Sequence, residues 1–160
     1  MTYLAKTKKP SQPQTGSALL EALFAMLIFS IGLLALIGLQ SVSIKNSIDA
    51  KYRADAALLI NQIIAQMWVD RSNIDNYGHY QTGAVCSFTG SASANVSPWN
   101  TPVTAWLAQV SLALPGSAVN TTQILVSNSG STKQVSVTVC WKGPQETTSH
   151  NQVATAQINP

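Results

Sequence analysis

Charged side chains make up only 9% of this 160-residue sequence, which has just two histidines and two cysteines. So few titratable groups leave little from which to build acid–base catalysis. No nucleophile elbow, phosphate-binding loop or dinucleotide fingerprint appears, so neither enzymatic activity nor a cofactor is expected. His79 and His150 fall in polar stretches and lack ligand spacing with either cysteine, so no metal site is expected and both read as solvated loop residues. Proline is absent between Pro13 and Pro98, and nothing in that interval forbids a continuous helix. A basic surface is missing too. The formal charge is +3, but Lys6, Lys8 and Lys9 lie in the first ten residues, leaving six basic side chains against six acidic ones. No basic patch is interleaved with aromatics, which argues against direct nucleic-acid binding.

What the sequence does have is hydrocarbon. An apolar run begins at Leu19–Leu20, is punctuated by Glu21, and continues from Ala22 to Leu39 with only Ser30, Gly32 and Gly38 as interruptions. No further charge follows Glu21 until Lys45. About 20 such residues, at a rise of about 1.5 Å each, cross the roughly 30 Å hydrocarbon core of a bilayer. The lysines ahead of the run place the N-terminus in the cytoplasm under the positive-inside rule. A secretory signal peptide has a shorter apolar core and ends at a small-x-small site, whereas Leu39-Gln40-Ser41-Val42-Ser43 offers a poor one. The segment is therefore expected to be retained. Cys86 and Cys140 both follow it, in an oxidising compartment where disulfides persist. A bridge between them would close a loop of about 55 residues and contribute about 4 kcal/mol; the alternative is two separate buried thiols.

Beyond the run the apolar residues keep a helical period. Val42, Ile44, Ile48, Tyr52, Ala56, Leu59, Ile60, Ile63, Ile64, Met67 and Trp68 recur at three- and four-residue steps. One helix is expected from about Ala18 to Arg71, roughly 80 Å long, apolar all round in its first half and striped in its second, with Met67 and Trp68 on the core face. Residues 73–101 read as a long polar connector. Thr101 and Pro102 then supply a cap and a first-turn proline for a short helix over 102–114, which Pro115-Gly116 stops. Strands are expected at about 123–127, 134–141 and 152–158, the first two joined by the turn-forming Asn128-Ser129-Gly130-Ser131. Val135, Val137, Val139 and Trp141 alternate with polar residues, so one face of an antiparallel sheet turns inward and covers the stripe on the long helix. The fold class is thus α+β.

Glu21 is the awkward residue, since a carboxylate within a membrane span costs a few kcal/mol if deep and needs a role or a partner. Cutting the chain after Gly16 would give Ser17 a free α-amino group, largely protonated near neutral pH. Glu21 lies four residues further on. In a helical array that amine could meet a neighbour's carboxylate and select the axial register.

A basic leader, Gly16, Ser17 and then A-L-L-E-A-L-F-A-M-L-I-F-S-I-G resemble the type IV prepilin motif, with Glu21 at its fifth-position glutamate. The segments I-G-L-L-A-L-I-G-L-Q (31–40), A-D-A-A-L-L-I-N-Q-I-I-A-Q-M (54–67) and V-S-V-T-V-C-W near the end resemble the PilV family of minor pilins. The resemblance implies a type IV pilin-like fold, with a leader at 1–16, a membrane-spanning and filament-core segment at 17–44, and a periplasmic globular domain at 45–160. It also implies that a prepilin peptidase cleaves after Gly16 and N-methylates Ser17. The subunit would then leave the bacterial inner membrane for a pilus, priming or joining its assembly. Its implied partners are other minor pilins, the major pilin and the inner-membrane assembly platform. Ser17 stands where the family usually has phenylalanine, the leader is longer than most, and Gly38 occupies a place where major pilins commonly have proline. Two other readings share the segment: an I-type minor pseudopilin of type II secretion, and a single-span protein with a periplasmic binding or enzymatic domain.

Overall fold

The structure, a computed structural model, describes residues 15–92 and 101–159. Helix α1 (Thr15–Val69) leads into a 3-10 helix (Arg71–Tyr77) and a small hairpin of β1 (Thr82–Ala84) and β2 (Ser87–Thr89). Helix α2 (Thr101–Ala113) and a 3-10 turn (Val119–Thr121) precede strands β3 (Thr122–Ser129), β4 (Thr132–Trp141) and β5 (His150–Ile158). The chain divides into two compact units, one ending at Lys45 and the other running from Asn46 to the C-terminus.

The second unit is built around the stripe on α1. Ala56, Leu59, Ile60, Ile63 and Met67 are buried at three- and four-residue spacing, which brings them onto one face of a helix. They pack with Val103, Trp106, Val110 and Leu114 of the α2 region and with Ile124, Val135, Val137, Val139, Trp141 and Ile158 of the sheet. Each such side chain stabilises the fold by roughly 1.5–3 kcal/mol when fully buried. The Trp106 indole N–H donates to the Leu59 carbonyl at 2.8 Å, so this ring brings no unpaired donor into the core, whereas the buried Trp141 indole N–H has no hydrogen-bond partner among the described residues. The stripe is narrower than its sequence suggests. Trp68 is 47% exposed while its neighbour Met67 is buried, because one residue along a helix turns the side chain about 100° away. Ile48 is likewise exposed, so the covered part of α1 starts only near Tyr52.

The sheet has the order β3-β4-β5 and is antiparallel throughout. Gly130 and Ser131 join β3 to β4, with Ser129 opposite Thr132. Gly130 has φ +64, the left-handed value that a tight two-residue hairpin asks of its first central residue and that glycine adopts without a Cβ penalty. All three expected strands are present, each extended by the ladder pairing beyond its expected bounds. Helix α1 starts earlier than expected and ends at Val69, and α2 starts one residue early. The expected cap from the Thr101 side chain lies outside the described residues. The architecture is α+β and pilin-like: a long apolar N-terminal helix packed through its C-terminal part on a small antiparallel sheet.

The connector departs most from expectation. Asp70 accepts hydrogen bonds from Asn73 Nδ2 at 2.7 Å and from the Tyr77 hydroxyl at 3.2 Å, folding residues 71–77 into a 3-10 helix at the end of α1. Residues 82–89 form a hairpin, and 93–100 lie outside the described residues. Gly83 makes the hairpin possible: at φ +105, a Cβ there would meet Ser87 O at 2.7 Å and Thr89 N at 2.8 Å.

Candidate functional site

The expected processing and assembly residues occupy the first turns of α1. Ser17 and Glu21 are four apart in a continuous helix, so their side chains share a face about 6 Å apart along the axis. Gly16 stands just before them, and a Cβ built on it would meet nothing within 4 Å. Cutting between Gly16 and Ser17 would leave the helix starting at Ser17, with free backbone N–H groups and a positive dipole end beside the Glu21 carboxylate. Among the described residues, no ion pair holds Glu21.

Residues 16–48 are exposed at every position, including Phe24, Phe29, Leu34 and Leu39. An 18-residue window here has mean hydropathy 2.6 and no buried share. At about 25 cal/mol per Å² of apolar surface, such a segment is unstable in water and calls for an apolar surrounding. Its polar side chain at Ser30 is already satisfied, donating to the Met26 carbonyl at 2.7 Å. One helix near the N-terminus is therefore long and apolar enough to span a membrane. It runs through Gly38 without interruption.

Cys86 and Cys140 form a disulfide with their Cα atoms 5.6 Å apart, as the sequence led one to expect. Cys86 sits in the β1–β2 turn at φ +65, a conformation that costs a non-glycine residue about 1–2 kcal/mol. Cys140 lies on the row of β4 that alternates away from Val139 and Trp141. The bridge therefore holds the hairpin over the sheet's second face, and Thr138 and Cys140 are both buried. Simple one-face alternation fails at this end of β4 because the core covers Val139 and Trp141 on one face while the disulfide-held hairpin covers the other.

Neither histidine is a solvated loop residue. His79 is 1% exposed. Its backbone exchanges two 3.0 Å hydrogen bonds with Ile124, and its Nε2 lies 3.0 Å from the Val119 carbonyl. Burial pushes its pKa below the usual histidine value, partly offset by the Val119 contact. Depressed in the folded state, that pKa means the unfolded chain binds the extra proton first, so stability is full above about pH 6.5 and falls as acid is added. Urea midpoints of the intact chain should drop between pH 7 and pH 5, at no more than about 1.4 kcal/mol per pH unit from this group. A His79→Gln variant should lose that part of the slope. His150 lies on β5, where its ring stacks on Trp141 with centroids 5.8 Å apart and Nε2 is 3.0 Å from Glu146 Oε2. Tyr77 is also set apart, its pKa pushed up to about 12 by burial, then by the Asp70 charge and hydrogen bond. Strand alternation places His150, but only tertiary pairing buries His79.

The structure thus brings Gly16, Ser17 and Glu21 together at one helix end and joins Cys86 to Cys140. Among the described residues no group of three or more His, Cys, Asp or Glu side chains could hold a metal ion. No family model matches the chain, and no curated protein or solved structure matches it.

Proposed function

We propose that this chain is a minor pilin of the PilV kind, cleaved after Gly16 and drawn from the inner membrane into a type IV pilus with other minor pilins and the major pilin. One observation carries the reading: a helix exposed along all its apolar first half bears a single carboxylate, Glu21, one turn beyond a Gly16–Ser17 junction. A plain membrane anchor has no use for that carboxylate. A filament subunit has one, because a cleaved neighbour offers a free amine at the matching position. The exposed hydrocarbon suits both stages, lying against lipid before assembly and against other helices after it. The disulfide-clamped second unit suits a periplasmic and then extracellular location. In this reading the subunit primes or joins assembly and catalyses nothing.

Shearing pili from cells that make the protein tests this. The chain should appear in the filament fraction and vanish from it when prepilin peptidase is absent. Equal recovery without the peptidase would contradict the proposal.

A further inference from the structure

The inward row shared by β3 and β4 is aliphatic along most of its length. Ile124 stands opposite Val137 and Val126 opposite Val135, and Ile124, Val135, Val137 and Val139 are fully buried. The pattern changes where β3 begins. Its first residue, Thr122, stands opposite Val139, while β4 runs on past the start of β3 to Trp141. Alternation along β4 puts Val139 and Trp141 on one face. Thr122 shares that face as the cross-strand partner of Val139, with Trp141 as its diagonal neighbour.

Both residues carry a polar atom into that face. Thr122 is 0% exposed and Trp141 1%, and neither Thr122 Oγ1 nor Trp141 Nε1 has a hydrogen-bond partner among the described residues. Leaving such a group unpaired costs about 1–3 kcal/mol, a cost that valine and phenylalanine would avoid at the same positions. Diagonal neighbours root their side chains roughly 7 Å apart, within reach of an aromatic ring, yet the two atoms do not bond each other. Their chemistry is complementary to one small molecule between them, since the indole donates and the hydroxyl both donates and accepts. A buried water bonds two to four polar groups, and a bridge through it is enthalpically nearly as good as a direct hydrogen bond. On the β5 side the His150 ring stacks on Trp141 with centroids 5.8 Å apart, which helps fix the orientation of the indole.

We propose that Thr122 and Trp141 form a binding site for a single internal water, which accepts from the indole N–H and shares a hydrogen bond with the Thr122 hydroxyl. The water closes the inward row at the point where β4 outruns β3. It also makes the two side chains one energetic unit: removing either polar group strips the other of its bridge. The site is independent of cleavage at Gly16 and of assembly.

The test uses the full chain in detergent. A crystal structure should show one water within about 3.2 Å of both Nε1 and Oγ1. Denaturant titration of variants then reads the coupling. Trp141→Phe should lower the folding constant about tenfold more in the wild-type background than in Thr122→Val, where the indole has already lost its bridge. Thr122→Ser keeps the hydroxyl, and in that background Trp141→Phe should cost as much as in the wild type, which a coupling through packing alone would not give. Equal costs of Trp141→Phe in the wild-type and valine backgrounds would overturn the proposal. So would a protein atom bonded to Nε1 in place of water. If Trp141→Phe fails to fold, the wild-type crystal structure decides alone: a water on both atoms upholds the site, and a dry contact there overturns it.

Discussion

Replacing Glu21 by alanine should leave leader removal intact while lowering recovery of the subunit in sheared filaments by at least about tenfold. The two effects separate because they rest on different chemistry. In the proposed reading cleavage would need Gly16 and an accessible helix start, and Glu21 would take no part in the bond that breaks. Assembly needs a reason for one subunit to stop at a fixed axial position against the next, and a featureless apolar cylinder slides freely. In the proposed filament a carboxylate meeting an ammonium in a low-dielectric surrounding would supply that reason, and a tenfold loss corresponds to only about 1.4 kcal/mol. The alanine also removes the cost of holding a charge in the membrane. The variant should therefore accumulate in the membrane fraction at normal or raised levels, processed but unassembled. Glu21→Gln keeps the shape and loses the charge, and should behave like alanine. Normal assembly of either variant would rule out the register role.

The second large effect is on stability. Removing the bridge by Cys86→Ser together with Cys140→Ser should cost about 4 kcal/mol, given the 54-residue separation of the two cysteines and the loop-closure entropy it withdraws from the unfolded chain. Against a typical domain stability of about 5–15 kcal/mol, that is a large share. The loss should also be uneven. The hairpin of β1 and β2 is two short strands held over the sheet by Cys86, with Phe88 buried beneath it. Its amides should exchange rapidly in the double variant, while β3, β4 and β5 keep their protection. Chemical denaturation and hydrogen exchange measure the two parts separately. A loss below about 1 kcal/mol would mean that the bridge follows the fold and adds little to it.

How far the fold could be read in advance depended on whether each element's cause was local. The α1 stripe was legible because residues 56–67 repeat at a helical step, and β3–β4 because a turn sequence with glycine separates two alternating runs. Trp68 was misplaced because sequence alone does not set the width of a stripe; the packing partners do. Residues 73–92 were read as loop because the hairpin there has three-residue strands, too short to show a period. What holds it is a glycine at φ +105 and a disulfide to Cys140, far along the sequence on β4. His79 followed the same pattern. A histidine among Tyr77, Gly78 and Tyr80 looks polar and exposed until Ile124 takes both of its backbone hydrogen bonds. At the candidate site, the placement of Gly16, Ser17 and Glu21 on one helix was legible from the unbroken apolar run that follows them. The order of the strands was not legible, since it appears only once the sheet is assembled.

Intact-mass measurement of the wild-type chain, recovered from cells that make a prepilin peptidase, bears most directly on the central claim. The reading at Gly16 predicts a mature species that begins at Ser17, with a further methyl group on its amine. A Gly16→Ala chain from the same cells should keep its leader. Wild-type protein recovered at full length, with Met1 through Gly16 still attached, would contradict it.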